Sequence, residues 1–82
     1  MRVKLKLFAS LRPLLAGAKN GEILVDLEAG ATPQTLIERF ALPREQVHLI
    51  LVNGFYVAPE AAGERALEEG DEIAMWPPVA GG

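Results

Sequence analysis

The chain has 82 residues, half of them hydrophobic, a formal charge of -3 and no cysteine. That length supports one small domain with a modest core, expected to bury about 60–65% of its unfolded surface, and no second domain is expected within these residues. The composition is that of a folded protein, its acidity argues against nucleic acid as a partner, and the missing thiols exclude disulfides, thiolate metal sites and a cysteine nucleophile, so stability rests on packing.

Residues 2–7 alternate polar and apolar at every step. This predicts a half-buried strand with Val3, Leu5 and Leu7 on one face and Arg2, Lys4 and Lys6 on the other. The same charges interrupt the unbroken apolar stretch that a signal peptide needs, and no later segment approaches the length of a membrane span. The expected compartment is therefore the cytoplasm, with no membrane partner. Residues 8–21 hold Pro13, two glycines and Asn20, and predict a short helical turn followed by a returning loop. Residues 22–28 read as a second strand with Ile23, Val25 and Leu27 on one face and Leu24 and Asp26 on the other, able to pair with the first as an antiparallel hairpin.

Gly30-Ala31-Thr32-Pro33 marks a helix start: the Thr32 hydroxyl can cap, and Pro33 suits the first helical position because that amide needs no partner. Leu36, Ile37 and Phe40 then share a helical face. Pro43 is expected to end this helix, since the residue before a proline resists the helical region. Residues 48–52 are apolar after His48 and predict an interior strand covered on both faces. Asn53-Gly54, between Val52 and Phe55, is a strong hairpin signal, and its second arm, residues 55–57, is brief. After Pro59 an Ala/Glu-rich connection brings Leu67 back to the core. Gly70-Asp71 marks a turn, and residues 72–76 close the sheet with Ile73 and Met75 facing one way and Ala74 and Trp76 the other. The order strand, strand, helix, strand, short strand, strand predicts an α+β fold, a mixed sheet of four to five strands packed on one main helix. Residues 1–76 form the domain and residues 77–82 an extended tail.

That tail is the candidate functional segment. Pro77 and Pro78 cannot donate backbone hydrogen bonds, so the last strand should stop there and release Val79, Ala80, Gly81 and Gly82 as a flexible end; the six residues from Pro77 to Gly82 reach about 20 Å when extended. Two closing glycines leave the final carboxylate without neighbouring side chains, open to an enzyme that encloses it in a narrow channel. A terminal Gly-Gly occurs by chance in roughly one chain in 200, so its meaning depends on the body that carries it. Trp76 is placed by alternation on the sheet face away from the helix and next to the tail, where an exposed tryptophan suits docking. A one-residue slip in register would instead put it in the core. Phe8 and Leu11 read as core or hairpin-packing residues, whereas Arg12, polar within an apolar segment, is a candidate partner contact. His48 has no second His or Cys to complete a metal site and reads as a partly exposed strand-start residue, so no metal site is expected. Lys4 and Lys6 form a solvated face. The acids concentrated in the second half either steer a basic partner or maintain solubility.

Phe8-Ala9-Ser10-Leu11-Arg12, directly after the first strand, resembles the Phe-Ala-x-Leu-Arg segment of the small, sulfur-carrying subunit of molybdopterin synthase. Leu67-Glu68-Glu69-Gly70-Asp71-Glu72-Ile73-Ala74 with Pro77-Pro78-Val79-Ala80-Gly81-Gly82 resembles that family's C-terminal signature, and Val52-Asn53-Gly54-Phe55 resembles the hairpin of thiamine-type and molybdopterin-type sulfur carriers more widely. The resemblance runs end to end and implies a ubiquitin-like β-grasp fold. It also implies that Gly82 is a reactant: an ATP-using activating enzyme adenylates its carboxylate, sulfur transfer gives a C-terminal thiocarboxylate, and the charged tail, Pro77 to Gly82, enters the large synthase subunit and donates sulfur to a pterin precursor in molybdenum cofactor biosynthesis. On this reading the chain has no catalytic residues and binds no cofactor, ATP being used by the activating enzyme. It works as a hetero-oligomer with the large subunit and the activating enzyme. Three other readings stand beside it: a ubiquitin-like modifier conjugated through Gly82 to lysines, a carrier for thiamine synthesis or tRNA thiolation, and a non-covalent binding module with an idle tail.

Overall fold

The computed structural model describes residues 1–15 and 18–78. Its elements are β1 (Arg2–Leu7), β2 (Glu22–Asp26), α1 (Pro33–Arg39), β3 (Leu49–Val52), β4 (Phe55–Val57) and β5 (Glu72–Trp76), with 3₁₀ turns at Ala9–Leu14, Arg44–Gln46 and Pro59–Ala61. The strands form one mixed sheet in the order β2-β1-β5-β3-β4. Strand β5 pairs parallel with β1 and antiparallel with β3, and the β1–β2 and β3–β4 pairs are antiparallel hairpins. The last strand in sequence is therefore the central one in space, which is the β-grasp arrangement.

Alternation places the side chains. Val3, Leu5 and Leu7 of β1, Ile50 and Val52 of β3, and Ile73 and Met75 of β5 are all at most 1% exposed and form the inner face, against which Leu36 and Ile37 of α1 pack. Burying each such side chain stabilises by about 1.5–3 kcal/mol, so this layer dominates the energetics. Leu11 and Leu67 join the same core, as their positions predicted.

Two tight turns use Asn-Gly: Asn20-Gly21, which leads into β2, and Asn53-Gly54, which joins β3 to β4. Asn53 and Gly54 have φ of 53° and 86°, and Asn20 and Gly21 have 54° and 74°. Two successive left-handed residues are what a two-residue hairpin matched to strand twist requires. The first turn falls within residues 8–21, where a helical turn and loop were predicted. The helical turn is the 3₁₀ turn Ala9–Leu14, and the loop's return is a hairpin with the Lys19 and Glu22 backbones paired at 3.2 and 3.0 Å.

Helix α1 starts as predicted, with Pro33 at its first position and Thr32 and Thr35 forming a capping box in which Thr35 Oγ1 accepts from the Thr32 amide at 3.0 Å. It ends earlier than Pro43. The chain reverses at Ala41, φ 53°, with the Ala41 amide donating to the Glu38 carbonyl and the Leu42 amide to the Ile37 carbonyl. This is the Schellman motif, and it satisfies the last carbonyls before the proline is reached. Pro43 instead leads into the Arg44–Gln46 turn. Strand β3 also departs from expectation. Its burial alternates, Ile50 and Val52 buried but Leu49 and Leu51 only half-buried, so it is covered on one face rather than both.

Candidate functional site

The outer face of the sheet, opposite α1, is divided by chemistry. Arg2, Lys4 and Lys6 of β1 meet Asp26, Glu22 and Glu72 from the flanking strands: Arg2 lies 2.9 Å from Asp26, Lys6 2.9 Å from Glu72 and 4.0 Å from Glu22, and Lys4 3.8 Å from Glu22. The hydrogen bond to Glu72 raises the Lys6 pKa and lowers that of Glu72. The hydrogen bond between Arg2 and Asp26 lowers the Asp26 pKa in the same way. Such exposed pairs contribute little to stability, but they commit the charges to one another.

The other half of the face is apolar. Register pairs Leu49 with Trp76 and Leu51 with both Ala74 and Tyr56, which places these side chains together on the outer surface. Trp76 is half-buried, and Phe8 stacks on it with ring centroids 4.2 Å apart and planes 5° from parallel. Tyr56 is 62% exposed at the free edge of the sheet. An aromatic cluster rimmed by polar groups is the composition of a docking surface.

The register decides between the two placements open for Trp76: it lies on the outer face. Phe8 is not a core residue but the partner that holds Trp76 flat. The amide of Phe8 donates to the Met75 carbonyl at 3.2 Å and that of His48 to the Trp76 carbonyl at 2.9 Å, so the end of β5 is secured on both sides. Directly beyond it Pro77 is half-buried and Pro78 exposed. Val79, Ala80, Gly81 and Gly82 lie outside the described residues. Arg12 is exposed, lies in the last turn of the 3₁₀ segment Ala9–Leu14 and makes no ion pair among the described residues. Its side chain lies over Gly21, where a Cβ would come within 2.9 Å of its Nε. His48 is exposed, and among the described residues no group of three or more His, Cys, Asp or Glu side chains is placed to hold a metal. No helix among these residues is long and apolar enough to cross a membrane.

Leu49, Leu51 and Tyr56 were missed as members of this face. The signal was the alternation within residues 49–52, hidden because all four side chains are apolar.

A profile of the ThiS family matches residues 5–82. No curated protein matches the chain. Among solved structures, the chain is similar to a putative molybdopterin converting factor, subunit 1, from Pyrococcus furiosus, with 34% identity and a TM-score of 0.70 over 95% of this chain and 98% of that one. It is similar to the small archaeal modifier protein 1 of Haloferax volcanii, with 30% identity and a TM-score of 0.71 over 95% and 98% of the two chains. A complex of subunits 1 and 2 of the molybdopterin-converting factor from Helicobacter pylori matches over 100% of both chains at 21% identity and a TM-score of 0.59, a likeness of fold.

Proposed function

Because this chain belongs to the ThiS family, we propose that it is a sulfur carrier that acts as the small subunit of molybdopterin synthase. The observation that carries the proposal is the position of β5: the central strand ends in a stacked aromatic pair on an apolar face and passes straight into Pro77 and Pro78. A partner that covers this face receives whatever follows at a fixed origin. The likeness to a converting factor's subunit 1, at 34% identity, favours the molybdopterin pathway.

A carboxylate at neutral pH is a poor electrophile. The proposed sequence first joins the Gly82 carboxylate to AMP in an ATP-dependent activating enzyme, releasing pyrophosphate. A sulfur nucleophile then displaces AMP and leaves a thiocarboxylate, which the large synthase subunit uses on a pterin precursor. In this scheme the domain binds and orients, and the partners supply the nucleotide site, bases and substrate pocket. Incubation with ATP, a cognate activating enzyme and a sulfur donor should shift the intact mass by the exchange of one oxygen for sulfur at Gly82. No shift with an enzyme that consumes ATP in the presence of the chain would overturn the carrier reading. Trp76→Ala should weaken partner binding by about 2 kcal/mol or more while the chain stays folded, as measured by calorimetry.

A second reading is favoured by the likeness to a small archaeal modifier protein at 30% identity: the activated Gly82 is captured by an amine instead of a sulfur nucleophile, joining this chain to a lysine. Adducts that require Gly82, against pterin sulfuration in a reconstituted synthase, separate the two.

A further inference from the structure

The conjugating reading requires acceptor amines, and this chain carries few. Its lysines are Lys4, Lys6 and Lys19. Lys6 is held by Glu72 at 2.9 Å with Glu22 at 4.0 Å, and Lys4 faces Glu22 at 3.8 Å. The amine of Met1 donates to the Leu27 carbonyl at 2.8 Å in a partly buried position. Lys19 is different. It is exposed and its side chain makes no ion pair among the described residues, while its backbone is fixed by the paired bonds to Glu22 across the Asn20-Gly21 turn. Glu22, the residue directly across from it, has its carboxylate shared between Lys4 and Lys6.

An amine attacks a carbonyl only through its unprotonated lone pair, so a carboxylate that hydrogen-bonds an ammonium both occupies it and stabilises its protonated form. Glu72 does this to Lys6. Three of the four amines must break a contact before reacting, and one need not. We propose that Lys19 is the acceptor through which copies of this chain are joined to one another, its Nζ forming an isopeptide bond with the activated terminal carbonyl of another copy. The proposal rests on the conjugating reading above and specifies its site. In the step, the neutral amine nitrogen bonds to the acyl carbon of the adenylate formed by an ATP-consuming adenylating enzyme. The bond from that carbon to the phosphate oxygen breaks, AMP departs with the electron pair, and the nitrogen releases a proton to solvent.

Two measurements test it. Brief acetylation of the folded chain with limiting N-hydroxysuccinimidyl acetate, mapped by peptide mass, should label Lys19 several-fold faster than the other two lysines, Lys4 and Lys6. Equal labelling overturns the site assignment whatever the chain's function. Incubation with ATP and a cognate adenylating enzyme should then give dimers whose tryptic map shows residues 66–82 of one copy branched onto Lys19. K19R should remain monomeric, and K4R and K6R should still couple. Coupling of K19R at the wild-type rate, or a branch at another amine, overturns the proposal. Hydroxylamine reports the activated terminus directly: capture by hydroxylamine without coupling at Lys19 overturns the site alone, and no capture removes the conjugating reading and the proposal with it.

Discussion

At Gly21 two constraints coincide. Its φ is +74°, and a Cβ there would sit 2.7 Å from the Leu7 carbonyl oxygen and 2.9 Å from Arg12 Nε. The left-handed region alone costs an L-residue about 1–2 kcal/mol, and a backbone oxygen cannot move aside as a side chain can. Gly21→Ala should therefore lose about 2–3 kcal/mol in urea unfolding. The double variant with Arg12→Ala should recover little of that, because the closer clash is with Leu7. Asp71 is the one buried acid among the described residues. Burial disfavours its charge, but hydrogen bonds from Asn53 Nδ2 and the Glu68 amide, both at 2.8 Å, and the charge of Arg65 outweigh this and hold its pKa below the ordinary 3.8. A carboxylate whose folded pKa is depressed adds stability that is present above its unfolded pKa and lost as pH falls through the folded one. Two donors face its two oxygens, so Asp71→Asn turns an amide against one of them and should cost about 1–3 kcal/mol at pH 7. The difference between wild type and variant should narrow as pH falls below 3.8, read from urea midpoints across that range. A constant difference would mean that Asp71 does not titrate with folding.

The elements repeat this division between local chemistry and tertiary geometry. Ala41 occupies the left-handed position that closes the Schellman motif of α1, φ 53°, and it is exposed. Ala41→Gly should stabilise by about 0.5–1 kcal/mol, the relief of backbone strain exceeding the added freedom of the unfolded chain, and raise the melting temperature by several degrees. No gain would place the strain relief below that entropy. The start of α1 was legible because Thr32-Pro33 encodes it in adjacent residues. Its end was not, because nothing about an alanine announces a left-handed turn, and Pro43 offered a plausible but later stop. Strand β1 was legible to the residue since its alternating charges mark both faces. Strand β3 was not, because Leu49-Ile50-Leu51-Val52 is apolar throughout and only its pairing with β5 and β4 shows that Leu49 and Leu51 face outward. The Asn20-Gly21 hairpin carried the same dipeptide as Asn53-Gly54 but lacked flanking apolar residues on either side. Trp76 and Arg12 could be nominated as contacts from local pattern, whereas the Phe8 stack depends on a parallel pairing between the two ends of the chain and had no local signal.

For the whole molecule, that pairing of first and last strands puts the final strand at the centre of the sheet. Among the described residues the last core residue in sequence is Met75 and the last strand residue is Trp76, yet β5 is central and hydrogen-bonded on both sides. The expected division into a domain at residues 1–76 and a tail at residues 77–82 is a proposal that experiment can test by separating the two parts. Removing residues 79–82 leaves every described core residue in place and, on the proposed division, should leave the unfolding free energy within about 0.5 kcal/mol of the full chain, the range of substitutions remote from packing. Sulfur loading should vanish, and adducts with it, while binding to a partner that docks on Phe8, Trp76, Leu51 and Tyr56 should persist at reduced affinity. The converse variant, Trp76→Ala in the full chain, keeps the terminus and loses the docking contact, so loading should survive at saturating partner and fail at low concentration. If instead truncation unfolds the domain, the boundary is misplaced. If the truncated chain still delivers sulfur, the chemistry does not pass through Gly82.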